Sequence, residues 1–278
     1  MTDGPLAVRT PASSANLGAG FDVFGTAVDL YADVGLGEAP DDASQVDEHH
    51  PARVAFDRLG GTGPMWLRTN IPMARGLGFS GAVRVGAAAL AVAQAGGPLG
   101  DGADEILSVA AELEGHGDNV AASLAGGVVA FVEGRAVPFV VGPVLGAAAL
   151  VAWVPDVTTS TDASRKSLGA DVARADAVHN IGRATQFALA FAHDDPSLLS
   201  GATEDRLHQG VRLPGIAGAS DAMERGVAAG AWCAWLSGSG PTVAMLVARE
   251  RADAVVASLP DNGHAKVLGI DPLGARVI

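Results

Sequence analysis

Residues 136–154, AVPFVVGPVLGAAALVAWV, contain no charged side chain. An apolar run of that length folds either as a helix across a bilayer or as buried elements of a globular core. Pro138, Gly142, Pro143 and Gly146 interrupt it, and both residue types break a helix interior. The breakers and the β-branched content predict two short buried strands joined by a turn. Such strands need a sizeable core, and 278 residues, 49% of them hydrophobic and 18% charged, supply one. Two domains are expected from the length.

The 37 glycines are spread along the chain, a composition that excludes disordered and fibrous classes. A net charge of -13, with Lys166 and Lys266 as the only lysines, excludes nucleic acid and anionic membrane as partners, because phosphate neutralisation needs clustered cations. The single Cys233 cannot form an internal disulfide, and no charged-then-apolar leader opens the sequence. A cytoplasmic location is therefore expected.

Along the chain, residues 5–10 and 27–36 have strand patterns, and the small-residue stretch between them predicts a loop. Residues 37–51 are acidic and predict a solvated connection. MWLRTN (65–70) follows as a strand, then a loop and a helix of about fifteen residues closed by Gly96 and Gly97. In ADEILSVAAELEG, Ile106, Leu107, Ala110 and Leu113 fall at helical spacing, with Glu112 on the last turn. Strand signals dominate from there to residue 154. Two further helices, 176–195 and 220–230, precede a strand, glycine turn and strand over 231–248. The mixture lacks a regular βαβ rhythm, so the fold class is α+β.

Gly76-Leu77-Gly78-Phe79-Ser80-Gly81 matches GxGxxG and opens a helix. A dinucleotide fold would also need an acid ending a second parallel strand. Asp101 lies at about the right distance but follows the helix directly, with no strand between. GxxxxGK[ST] fails as well, since neither lysine follows a glycine. What remains is the physics common to both motifs: glycines let backbone amides approach an anion, and the helix N-terminus adds partial positive charge. An anion site is expected here.

Three stretches, PASSANLGAGFDVFG (11–25), IPMARGLGFSGA (71–82) and LSGSGPTVAML (236–246), resemble in order and spacing the three motifs of the GHMP small-molecule kinases. Within that superfamily EGHGDNVAASLAGG (114–127), VPDVTTST (154–161) and DRLHQGVR (205–212) resemble the homoserine kinases. The resemblance covers nearly the whole chain. It implies a domain over 1–148 like ribosomal protein S5 domain 2, a ferredoxin-like domain over 149–278, and an active site between them. It also implies transfer of the γ-phosphoryl group of ATP, with Mg²⁺, to the side-chain hydroxyl of L-homoserine, on the route to threonine. A homodimer is implied too.

By the same resemblance, Arg75, Gly76, Leu77, Gly78, Phe79, Ser80, Gly81 and Ala82 hold the nucleotide phosphates, and Ser80 and Glu112 hold Mg²⁺ through hard oxygen ligands. Asn16 and Asp22 grip the amino acid, Asp22 facing its ammonium group. Arg183 and Arg212 clamp its carboxylate, where a planar guanidinium can bind two oxygens at once. His116 hydrogen-bonds to substrate or loop. Asn119 stands where mevalonate-type relatives carry an aspartate base, which implies direct attack driven by alignment and charge stabilisation. LSGSGP packs its glycine turn behind the phosphate loop.

The family loop usually reads GLGSSAA, and here Phe79 and Gly81 replace a serine and an alanine. Two other readings stay open on this sequence: a kinase of the same superfamily acting on mevalonate or another hydroxy acid, and a protein of this fold that binds a metabolite without turnover.

Overall fold

The computed structural model describes residues 6–159 and 161–278, the side chains at 161 and 162 excepted. Residue 5 of the first expected strand and residue 160 of VPDVTTST thus lie outside the described residues. The first half runs β1 (Ala7–Ala15), β2 (Phe24–Leu36), β3 (Ser44–Gln45), α1 (Pro51–Arg58), β4 (Met65–Thr69), α2 (Phe79–Gln94), α3 (Ala103–Glu114), α4 (Asp118–Ala125), β5 (Val128–Val132) and β6 (Arg135–Pro138). After a one-turn α5 (Pro143–Gly146) come β7 (Ala149–Pro155), α6 (Thr161–Lys166), α7 (Arg174–His193), α8 (Gln209–Arg212), α9 (Ala219–Ala228), β8 (Cys233–Leu236), β9 (Val243–Val247), α10 (Ala252–Ser258), β10 (Gly263–Gly269) and β11 (Arg276–Val277).

Two sheets result. One has seven strands, with β11-β1-β2-β4-β3 in order and the β5–β6 hairpin attached to β2; the other has four, ordered β10-β7-β9-β8. The change of sheet falls between β6 and β7, while the last strand returns to pair with β1. β7 explains the uncharged segment. All seven of its residues are buried, and their period of two sends alternate side chains to opposite faces. Leu150, Ala152 and Val154 join the larger core with Phe187 and Phe191 of α7. Val151 and Trp153 face a second core with Ala219 and Ala222 of α9 and Val255 of α10. The rest of the segment departs from expectation: β6 is largely exposed at the sheet edge, and α5 stands where a turn was predicted. Among the described residues, no helix is long and apolar enough to cross a membrane.

The larger core mixes both halves of the chain, Val8, Val34, Leu90 and Ala121 sharing it with Leu150, Trp235 and Leu246. The two sheets are therefore fixed to each other, and the end of β1 and the loop before α2 meet the β8–β9 turn in a defined geometry. Cys233, the first residue of β8, is free and buried in the larger core, with its thiol pushed up to about 12 by burial, so it is inert as a nucleophile.

Candidate active site

β1 runs further than predicted and ends at Ala15, so the small-residue stretch is half strand and half tight turn. Asn16 (φ 70) and Asp22 (φ 59) both adopt left-handed backbone in that turn, a conformation their short polar side chains tolerate. Asn16 Nδ2 donates to Gly238 O at 2.9 Å, and its Oδ1 accepts the Asp22 amide at 3.0 Å. The turn after β1 is thereby tied to the turn after β8, and Asp22 is aimed into the space between.

The glycine loop closes that space from another side. Gly78 caps α2 in left-handed backbone with no side-chain cap, which leaves first-turn amides of a sixteen-residue helix available to an anion. A Cβ on Gly76 (φ +72) would lie 2.4 Å from Ser237 O. Ser14 Oγ and Ser237 Oγ hydrogen-bond at 2.7 Å, Ser237 Oγ donates to Gly76 O, and Trp235 Nε1 donates to Ser14 Oγ at 3.0 Å. LSGSGP thus sits directly against the loop. The expected result for Gly76→Ala is a loss of about 3 kcal/mol in denaturant unfolding, from left-handed strain plus the clash. Gly60→Ala, with a similar φ of +75 and open space around it, should cost only about 1 kcal/mol.

Asn16, Asp22, residues 75–80, His116, Asn119 and Arg212 all line one cavity of about 300 Å³, together with Glu114, Asp118 and Arg165. Phe79, which lines the cavity, also packs against the larger core. Gly81 and Ala82 do not line the cavity. They seat α2: a Cβ on Gly81 would meet Asn119 Cβ at 3.3 Å, and Ala82 O accepts Thr10 Oγ1 at 2.9 Å.

Two expectations are corrected. Glu112 lies outside the cavity, paired at 2.9 Å with Arg58 and with 63% of its side chain exposed. Two residues further along α3 is more than half a helical turn away, and Glu114, 12% exposed, faces the glycine loop instead. Its phase was legible, because Glu114 follows buried Leu107 and Ala110 by seven and four residues, one helix face. Arg183 is also outside, its guanidinium held by Glu204 at 2.6 Å and Gln186 at 3.0 Å. Arg165 on α6 stands in the cavity, gripping Asp22 through two bonds of 3.0 and 2.6 Å. It follows VPDVTTST by four residues, so that motif extended one helical turn would have reached it.

Arg212 is the most buried cation in the cavity wall, 8% exposed. Its Nη1 contacts His208 Nδ1 at 3.3 Å and Gly238 O at 3.4 Å, while its Nε has no hydrogen-bond partner among the described residues. Burial first, then the Arg165 charge, pull its pKa below the usual range. Both guanidinium groups lie near the Phe21 ring, at 5.8 Å for Arg165 and 5.3 Å for Arg212. Arg165 and Arg212 share this part of the cavity with two carboxylates, since ligand atoms of Asp22, His116 and Asp118 lie within 4.8 Å of one another, so both an anionic and a cationic group would find partners here. Beside Asp22, His116 Nδ1 meets Asp118 Oδ1 at 2.6 Å, and the same oxygen accepts the Asn119 backbone amide at 2.7 Å. Asn119 Oδ1 accepts Ser13 Oγ at 2.9 Å, so its NH₂ is the end left to the cavity.

Residues 50–127 match the family described as GHMP kinases N terminal domain. A homoserine kinase of Desulfitobacterium hafniense is 37% identical, over 98% of this chain and 99% of its own. One from Carboxydothermus hydrogenoformans is 39% identical over 89% and 86%. The crystal structure of a homoserine kinase from Cytophaga hutchinsonii superposes with a TM-score of 0.84 at 25% identity, covering 100% of this chain and 98% of that one. A crystal structure of mevalonate kinase shares the fold at TM-score 0.68 and 14% identity. With relatives this similar along nearly its whole length, the chain belongs to the homoserine kinase family of the GHMP kinases.

Proposed function

We propose that this protein transfers the γ-phosphoryl group of ATP to the side-chain hydroxyl of L-homoserine, giving O-phosphohomoserine on the route to threonine. The observation that carries the reading is one cavity in which an amide-lined glycine loop faces the Arg165, Arg212 and Asp22 group. Homoserine is a zwitterion: its carboxylate suits the two guanidinium groups that line the cavity, and its ammonium suits Asp22. The Asp22–Arg165 pair must open to admit it, each partner exchanging one salt bridge for another. The Asn119 amide cannot take a proton, so its NH₂ is a donor that orients the reacting oxygens. Alignment and charge stabilisation then supply the rate.

Mg²⁺ fits the donors present. Ser80 Oγ and the Glu114 carboxylate, both hard oxygens, converge on a single positively charged atom, Nη1 of Arg84. When bound, the ion would neutralise phosphate charge. We extend the reading to a homodimer in a reducing cytoplasm, the location that suits the free Cys233. The test is phosphoryl transfer followed by ³¹P NMR with homoserine, mevalonate and related alcohols offered separately. O-phosphohomoserine as the main product supports the reading, and preference for another alcohol, or no turnover, refutes it.

A further inference from the structure

Arg84 lies one helical turn beyond Ser80 on α2, so the two side chains share a face. That face is turned to the C-terminal end of α3, where Glu114 projects. Nη1 of Arg84 contacts both Ser80 Oγ and Glu114 Oε2, while the other carboxylate oxygen, Oε1, lies 4.0 Å from His116 Nε2. Arg84 is only 18% exposed on its side chain, and burial pulls its pKa below the usual guanidinium value. His50, the cap of α1, is close enough for the Arg84 charge to add to the lowering that burial imposes on it. A buried guanidinium is costly unless paired. Here its partners are the two oxygens whose chemistry suits a divalent cation.

We propose that Arg84 is an internal competitor for that cation: its guanidinium holds Ser80 Oγ and Glu114, and divalent-metal binding is an exchange in which Arg84 leaves the carboxylate. The inference rests on the reading of Ser80 and Glu114 as the cation's donors. Two positive charges cannot share one carboxylate at contact distance without strong repulsion. The flexible arginine stem lets the guanidinium withdraw, whereas the backbones of Ser80 and Glu114 are held by their helices. Metal affinity in the absence of nucleotide is therefore set partly by the strength of the contact that must break.

The test titrates nucleotide-free protein with MnCl₂, following free Mn²⁺ by electron paramagnetic resonance. Arg84→Met removes the competitor at nearly constant volume and should tighten Mn²⁺ binding by about tenfold or more. Glu114→Gln should weaken it in both the native and the Arg84→Met backgrounds. Equal or weaker binding by Arg84→Met, with Glu114→Gln still disruptive, overturns the exchange but spares the donor assignment. Mn²⁺ binding indifferent to Glu114→Gln overturns both. Arg84→Gln serves if the methionine variant does not fold. A second readout is thermal: Mg²⁺ should raise the melting temperature of the Arg84 variant more than that of the native chain, because it relieves an otherwise unpaired Glu114. An equal rise in both counts against the proposal.

Discussion

Replacing Arg212 by methionine is expected to raise the KM for homoserine by about a hundredfold, because the nearly buried cation proposed to hold the substrate carboxylate is lost. Arg165→Met should give a smaller rise, about thirtyfold, since that guanidinium is about one-third exposed and better screened. The KM for ATP should move far less in both. Arg183→Ala is the control: its side chain is held by exposed Glu204, and such surface pairs contribute little, so both constants should stay within about twofold. Steady-state kinetics on the three variants decide between the cavity as described and the Arg183 clamp implied by the sequence. An unchanged homoserine KM in Arg212→Met would remove the carboxylate assignment.

Loss of Asp205 should be the most damaging single change for stability outside the apolar cores. Its carboxylate accepts Asn180 Nδ2 at 2.7 Å and the amides of Leu207, His208 and Gln209 at 3.0, 2.8 and 2.7 Å. It also lies 3.6 Å from His208 Nε2, with both side chains fully buried. His208 in turn touches Arg212, so Asp205 holds the α8 turn that delivers the clamp. Asp205→Ala removes the acceptor of three backbone amides and of Asn180 Nδ2, which among the described residues keeps only its 3.3 Å bond to Ala19 O, and should cost about 3–5 kcal/mol by denaturant unfolding. Burial alone would raise the Asp205 pKa, but the His208 charge and these hydrogen bonds outweigh it and leave it lowered. A carboxyl with a depressed folded pKa contributes stability that is fully present above the unfolded value of about 3.9 and fades as pH falls through the folded value. The native chain should thus lose stability below about pH 4 more steeply than Asp205→Asn; parallel acid profiles would contradict this role.

What the sequence made legible was local. The glycine loop, the helix it opens and the positive-φ stop at Gly96 follow from short-range chemistry, and α2, α7 and α9 lie close to where their periodicity places them. α1 begins at the last residue of the acidic stretch 37–51, and Pro51 at its first turn is an ordinary helix-start signal, but its cap is His50, whose Nδ1 accepts the Ala52 amide at 3.1 Å, a residue type that does not announce a helix start. α4 stands where strand is expected, because its eight residues sit between glycines in an apolar, strand-rich region, where periodicity has too little length to declare itself. Resemblance placed Asp22, Asn119 and Arg212 in the cavity but missed at Glu112 and Arg183. In the first case the correct helix face was recoverable from the buried residues upstream. The second depended on tertiary placement: α7 presents Arg183 to Glu204, and only the path of the chain after β7 brings Arg165 over Asp22.

The central claim is that one cavity between the two sheets takes both reactants. The most direct measurement is a crystal structure with L-homoserine and a non-hydrolysable ATP analogue bound together. The amino-acid carboxylate should lie on Arg165 and Arg212, its ammonium on Asp22, and the phosphates on the amides of the Gly76–Gly78 loop. An amino acid held by Arg183, or phosphates lying away from that loop, would contradict the account.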